Sequence, residues 1–150
     1  MNSKRSSMLI KIITLILILS IITPYSVMAA TAEEIQPYAS KFLTSYNTYI
    51  CRIGTSGEIQ IWFDVMGTGT MDEIGILSIE LYEVKSDGSV KWLKTYLHED
   101  YSSMLIENDW FHSSYVSYQG STSKTYKAYV CIWAGKNGGG DTRYMWATMV

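Results

Sequence analysis

"EIQIWFDVM", Glu58 to Met66, decides the fold class of this chain. Ile59, Ile61, Phe63 and Val65 fall on one side of an extended backbone, and Gln60, Trp62 and Asp64 fall on the other. A period of two marks a strand with one face in a core and one toward solvent. No other segment replaces this pattern with the 3.6-residue period of an amphipathic helix.

Reading outward, the same chemistry recurs. On the N-terminal side, "FLTSYNTYICRI" (Phe42 to Ile53) is rich in Thr, Tyr and Ile and closes on "GTSG". On the C-terminal side, "GTGT" (Gly67 to Thr70) and "MDEIG" read as a connection. "ILSIELYEV" then sets Leu77, Ile79 and Leu81 against Ser78, Glu80 and Tyr82. "KSDGS" is a hairpin turn, because Asp-Gly tolerates positive φ, and "VKWLKTYL" returns from it. His98 to Trp110 is the longest irregular stretch, with room for a helical turn. "HSSYVSYQ", the turn "GSTSK" and "TYKAYVCIWA" follow, with Tyr126, Ala128, Val130 and Ile132 on one face and Tyr129, Cys131 and Trp133 on the other. "GKNGGGD" is expected to be a hairpin tip before the last strand, "TRYMWATMV". A phosphate loop would need G-K-[ST] leading into a helix, and here Lys136 precedes the glycines.

About seven short strands with regular turn signals predict an all-β, antiparallel two-layer β-sandwich; a small β-barrel is the alternative. An Ig-like architecture is compatible with this count. The antibody-type core is not, although Cys51, Trp62, Tyr129 and Cys131 occur in its order. Alternation sets Trp62 beside Gln60 and Asp64, away from the Ile61 and Phe63 face.

The N-terminus reads as an address. Lys4 and Arg5 precede an apolar run from Ile12 to Ile22, too short for the ~20 residues that span a bilayer. Pro24 breaks it, and Val27 and Ala29 stand at the −3 and −1 positions of a cleavage site. Residues 1–29 are therefore expected to be a secretory signal peptide, 30–41 a lead-in, and 42–150 a single domain. Thr31 and Glu34 have capping-box spacing, but Pro37 stops any helix there. No cysteine follows the cut and no sorting tail ends the chain, so a secreted, extracellular protein with no membrane anchor after cleavage is expected.

Losing Lys4, Arg5 and Lys11 leaves nine basic residues against fourteen acidic ones, a net charge of −5. That balance excludes nucleic acid as a partner class, since phosphates demand clustered Lys and Arg, and it opposes docking on anionic lipid. Cys51 and Cys131 form an even pair, which in an exported protein points to a disulfide; two separate buried thiols are the alternative. No metal is expected: there is no C-x-x-C, the only histidines are His98 and His112, and neither "GDTR" nor "MDEIG" has the ligand spacing of a calcium loop. No cofactor is implied.

Nucleophilic chemistry finds no support. No serine stands in G-x-S-x-G, and Asp109, His112 and Ser113 are too close along a strand to converge. Asp64, Glu80 and Glu83 are carboxylates of the right kind for glycoside chemistry, but alternation puts Asp64 and Glu80 on solvated faces. The chain is not expected to be an enzyme. Aromatic residues are the positive signal: nineteen of twenty, with all five tryptophans, lie after the cut. Trp62, Tyr82, Tyr129, Trp133 and Trp146 are the candidate contact residues. Flat rings flanked by hydrogen-bonding groups suit sugar faces and also protein interfaces. Cross-strand packing is the competing use of the same rings.

"IWFDVMGTGTMDEIG", "LYEVKSDGS" and "AYVCIWAGKNGGGDTRYMW" together resemble small secreted proteins of Gram-positive bacteria grouped as a domain of unknown function, over Pro37 to Val150. The resemblance implies an exported all-β protein and assigns no functional residue. The expectation is a secreted, non-catalytic binding protein, its partner a cell-wall or environmental polysaccharide or an extracellular protein. A secreted antagonist of the bacteriocin kind is the alternative.

Overall fold

The computed structural model describes residues 40–150, within a contact unit that runs from Pro37 to Val150. The expected signal peptide and nearly all of the lead-in lie outside the described residues. Six strands follow in order: β1 (Leu43–Ile53), β2 (Glu58–Val84), β3 (Val90–Leu97), β4 (Leu105–Gln119), β5 (Thr125–Lys136) and β6 (Gly139–Thr148). Every ladder between them is antiparallel.

β2 organises the rest. Its 27 residues would span roughly 90 Å if straight, so it must bend to stay within a small domain. The register on β4 shifts between Met66 and Met71, within the "GTGT" segment. The first part of β2 lies between β1 and β4, and the second part lies between β3 and β5, with β6 beyond β5. One sheet thus curls over so that its two halves face each other. The expected sandwich is present with six strands rather than seven. "GTGT" does not reverse the chain, because neither Gly67 nor Gly69 has the positive φ of a tight turn. The two strands expected around it are one.

The core fills the space between the halves. Ile59, Ile61, Phe63 and Val65 are fully buried from one half, and Ile79, Leu81, Ala128, Val130 and Ile132 from the other. Leu77 departs from the expected alternation. The β2–β5 register shifts between Ile76 and Ser78, and this bulge turns Ile76 inward in place of Leu77. Gly75 just before it has φ +146°, and a Cβ there would stand 2.2 Å from the Met104 carbonyl oxygen. Only glycine lets the Met104–Leu105 backbone come this close.

β4 starts at Leu105, well before the expected His112. The irregular segment is therefore short: Tyr101 N–H bonds the Leu97 carbonyl and Met104 N–H bonds the Tyr101 carbonyl. The β5–β6 hairpin has the expected tip. Lys136 pairs with Gly139 around Asn137 (φ 53°) and Gly138 (φ 74°), the two-residue Asn-Gly turn whose twist matches its strands.

Hydrogen bonds close both sides of the sandwich. Along one side Val150 N–H bonds the Ile50 carbonyl, and the Asp141 carboxylate accepts the Ser40 hydroxyl at 2.5 Å and Phe42 N–H at 2.9 Å. Along the other, the Tyr96 hydroxyl of β3 donates to the Ser117 carbonyl of β4 at 2.8 Å.

The cysteines correct an expectation: Cys51 and Cys131 are both free thiols. Cys51 follows inward Ile50 and pairs with Gln60, on the outside of the first half. Cys131 lies between inward Val130 and Ile132, on the outside of the second half. The two outer faces point away from each other, so no disulfide spans them. Trp62 is likewise on the outer side, which removes the antibody-type core.

Candidate functional site

The outer face of the second half gathers the most rings. Alternation sends Tyr82, Tyr129, Tyr144 and Trp146 outward because their strand neighbours Leu81, Val130 and Ala147 are core residues. Register then aligns them: Glu80, Tyr129 and Trp146 share one row across β2, β5 and β6, and Tyr144 lies opposite Cys131 in the next outward row. Tyr129 is 4.9 Å from Trp146 and 5.6 Å from Tyr144 between ring centres, nearly parallel to the latter. Tyr82 approaches Trp146 at 5.7 Å. Trp92, opposite Tyr82 on β3, adds a ring from a fourth strand in the neighbouring row, where Tyr82 pairs with Lys127 on its other side.

The platform is open to solvent. Tyr144 is 60% exposed, Trp92 57% and Trp146 46%. Charged groups hold it in place: the Lys127 ammonium stands 4.2 Å from the Trp146 ring centre, and Glu80 accepts the Tyr82 hydroxyl. That hydrogen bond, aided by burial and the Glu80 charge, raises the Tyr82 phenol above its usual pKa. Burial raises the Cys131 thiol, opposed by hydrogen bonds with Tyr144 and Ser78. Tyr144 is raised mainly through its bond to Cys131. The face is thus built of phenols and indoles, with the Glu80 and Lys127 side chains beside them. Such a surface offers π-faces for apolar C–H groups and hydroxyls for hydrogen bonds.

Three of the five candidate residues, Tyr82, Tyr129 and Trp146, come together here. Trp133 lies further along the same face of β5, ~13 Å from Tyr129 by strand rise. Its indole covers the Gly135–Gly140 pair: a Cβ on Gly140 would lie 2.2 Å from the ring, and one on Gly135 2.8 Å. Trp133 Nε1 donates to Glu73 at 3.2 Å. An open groove of about 500 Å³ beside it is lined by Asp72, Glu73, Glu107, Trp133 and Lys136. The glycine-rich tip therefore forms one wall of a groove, and Asn137 N–H is fixed by the Asp72 carboxylate at 2.6 Å.

Trp62 is separated from the others. It sits on the outer face of the first half, in register between Tyr49 and Tyr115. Tyr49 stacks parallel to it at 6.4 Å and Tyr115 meets it at 4.6 Å, so its ring surface is largely used in packing. The Asp109–His112–Ser113 run is split as alternation requires. His112 turns inward, bonds the Ser103 carbonyl at 2.8 Å and meets Phe63 edge-on, while Ser113 faces outward to Asp64.

Sequence reasoning missed Tyr144 and Trp92. Tyr144 is two residues before Trp146 and so must share its face; that parity was the available signal. Trp92 required the β2–β3 register, which has a bulge at Leu81–Tyr82.

No protein-family model matches the chain, and no curated protein sequence does. Among solved structures it is similar to the crystal structure of Spo0M, a sporulation control protein from Bacillus subtilis, with a TM-score of 0.39 and 10% identity. The match covers 70% of this chain and 48% of that one, so this chain spans about half the length of that protein.

Proposed function

We propose that this protein is an exported, non-catalytic binding module that holds a polysaccharide against the outer aromatic face of its second half. The observation that carries this reading is the cluster of Tyr82, Tyr129, Tyr144 and Trp146 on adjacent rows of one face, with Tyr144 and Trp146 exposed and Trp146 held by strand pairing and by Lys127. Tyr144 and Trp146 keep about half of their surface in water. Rings already positioned by strand pairing and by one another bind with little loss of side-chain freedom, which favours extended ligands with repeating apolar faces. Sugar rings have such faces, and the phenol hydroxyl of Tyr129 supplies a donor beside them.

Export supports the polysaccharide class, because the basic start, short apolar run and Ala29 cut direct the chain to where cell-wall and environmental glycans are. The test is retention on insoluble glycans, peptidoglycan included. The native protein is expected to be retained, and Trp146→Ala and Tyr144→Ala to pass through. Equal retention of both variants overturns the assignment of the face. Growth inhibition of neighbouring cells without any glycan retention would replace binding by antagonism.

A further inference from the structure

Strand order leaves four strands with an open flank, and the sequence treats them differently. β1 and β6 cover each other through the Ile50–Met149 bridge and the Asp141 contacts. β3 is short and carries Lys91 and Lys94, the charged side chains that keep an edge from pairing with another chain. β4 carries Glu107 and Asp109 near its start, but the rest of the strand has no such charge. From Phe111 to Gln119 it pairs only with β2 among the described residues, and that stretch contains no Lys, Arg, Asp, Glu or Pro. Its one histidine, His112, is turned into the core.

We propose that the β4 edge pairs antiparallel with the β4 edge of a second copy of this chain, centred on Tyr115. The outward side chains of β4 read Phe111, Ser113, Tyr115, Ser117, Gln119, and this order is symmetric about Tyr115 over its middle three residues. A two-fold axis there sets Ser113 opposite the partner's Ser117 and Tyr115 opposite the partner's Tyr115. Both are favourable cross-strand pairs, and an isologous contact needs such self-complementarity. The aromatic row Tyr49–Trp62–Tyr115 ends abruptly at this edge, with Tyr115 42% exposed. Pairing continues the row through the axis into the same three rings of the second copy.

The backbone is positioned for it. Ser117 presents its carbonyl to Tyr96 on the side away from β2, so the odd-numbered residues of β4 carry the edge-facing groups. Tyr96 occupies one acceptor site of that carbonyl and leaves the second open. The proposal uses the first half of the sheet and is independent of the glycan reading.

Light scattering after size-exclusion chromatography of the native protein tests it. A dimer that dissociates on dilution is expected, with amide exchange at Ser113, Tyr115 and Ser117 slowed in the dimer. Ser117→Lys, which leaves the ring row intact, and Tyr115→Lys should each weaken association by at least about tenfold, with unchanged circular dichroism. A monomer at on the order of 100 µM, a dimer kept by both lysine variants, or a dimer without protection at these amides overturns the proposal.

Discussion

Trp133 lies against Gly140 so closely that a Cβ at position 140 would stand 2.2 Å from its ring. Gly140 pairs directly with Gly135, and the indole covers both, so these glycines serve packing while Asn137 and Gly138 make the turn. Gly140→Ala is therefore expected to lift Trp133 from the hairpin and break its bond to Glu73. Overpacking of this kind costs about 1–3 kcal/mol. Equilibrium urea unfolding with tryptophan fluorescence measures it, and an unchanged midpoint would remove the role given to Gly140.

Phe63 and Trp62 are adjacent in sequence and opposite in burial, which separates core from surface contributions. Phe63→Ala should destabilise by about 3–5 kcal/mol, since a fully buried ring leaves a cavity. Trp62→Ala loses two surface ring contacts, each about 0.5–1.5 kcal/mol, and the partly buried hydrogen bond from its Nε1 to Gln60, and leaves no buried cavity. Thermal and urea unfolding of the two variants should rank them in that order, and the reverse order would contradict the assigned faces.

Much of this was legible in the sequence. The alternation of Ile59 to Val65 named the inner face of the first half, and Tyr126, Ala128, Val130 and Ile132 named an inner face of the second. Three of five candidate rings converge because parity alone put them outside. The rest depended on relations between distant segments. Gly67 and Gly69 have the composition of a turn, and only the pairing of β2 with both β1 and β5 shows that the strand bends and continues. The bulge at Ile76–Ser78, which displaces Leu77, has no local signature. Cys51 and Cys131 could not be placed on opposed outer faces until the strand order was known.

The thiols give a chemical check on that order. Both cysteines should react with a thiol reagent in unfolded protein without prior reduction. In the folded protein Cys51 should react first, because Cys131 is buried and its thiol is raised by burial, which lowers its thiolate fraction. An intact mass showing no free thiol before reduction would contradict the structure.

Asp141 ties β6 to the start of β1, and its acid dependence has a defined sign. The Ser40 hydroxyl first, and then Phe42 N–H, hold its carboxyl below the usual carboxylate range. A depressed folded pKa contributes stability that is present above the unfolded value of about 3.9 and is lost as pH falls through the lower folded value. Asp141→Asn should remove this contribution at neutral pH and flatten the stability profile below about pH 4. Urea midpoints collected from neutral pH to about pH 2.5 read the effect, and an identical acid limb in both proteins would contradict it.

The central claim is that Tyr144 and Trp146 form the contact face for an extended glycan. The most direct measurement is a glycan array that spans cell-wall and plant polysaccharides, probed with the native protein, Tyr144→Ala, Trp146→Ala and Trp62→Ala. The account predicts binding by the native protein, loss of at least about tenfold for the first two variants, and retention by Trp62→Ala. No binding anywhere on the array, or loss with Trp62→Ala while Trp146→Ala still binds, would contradict it.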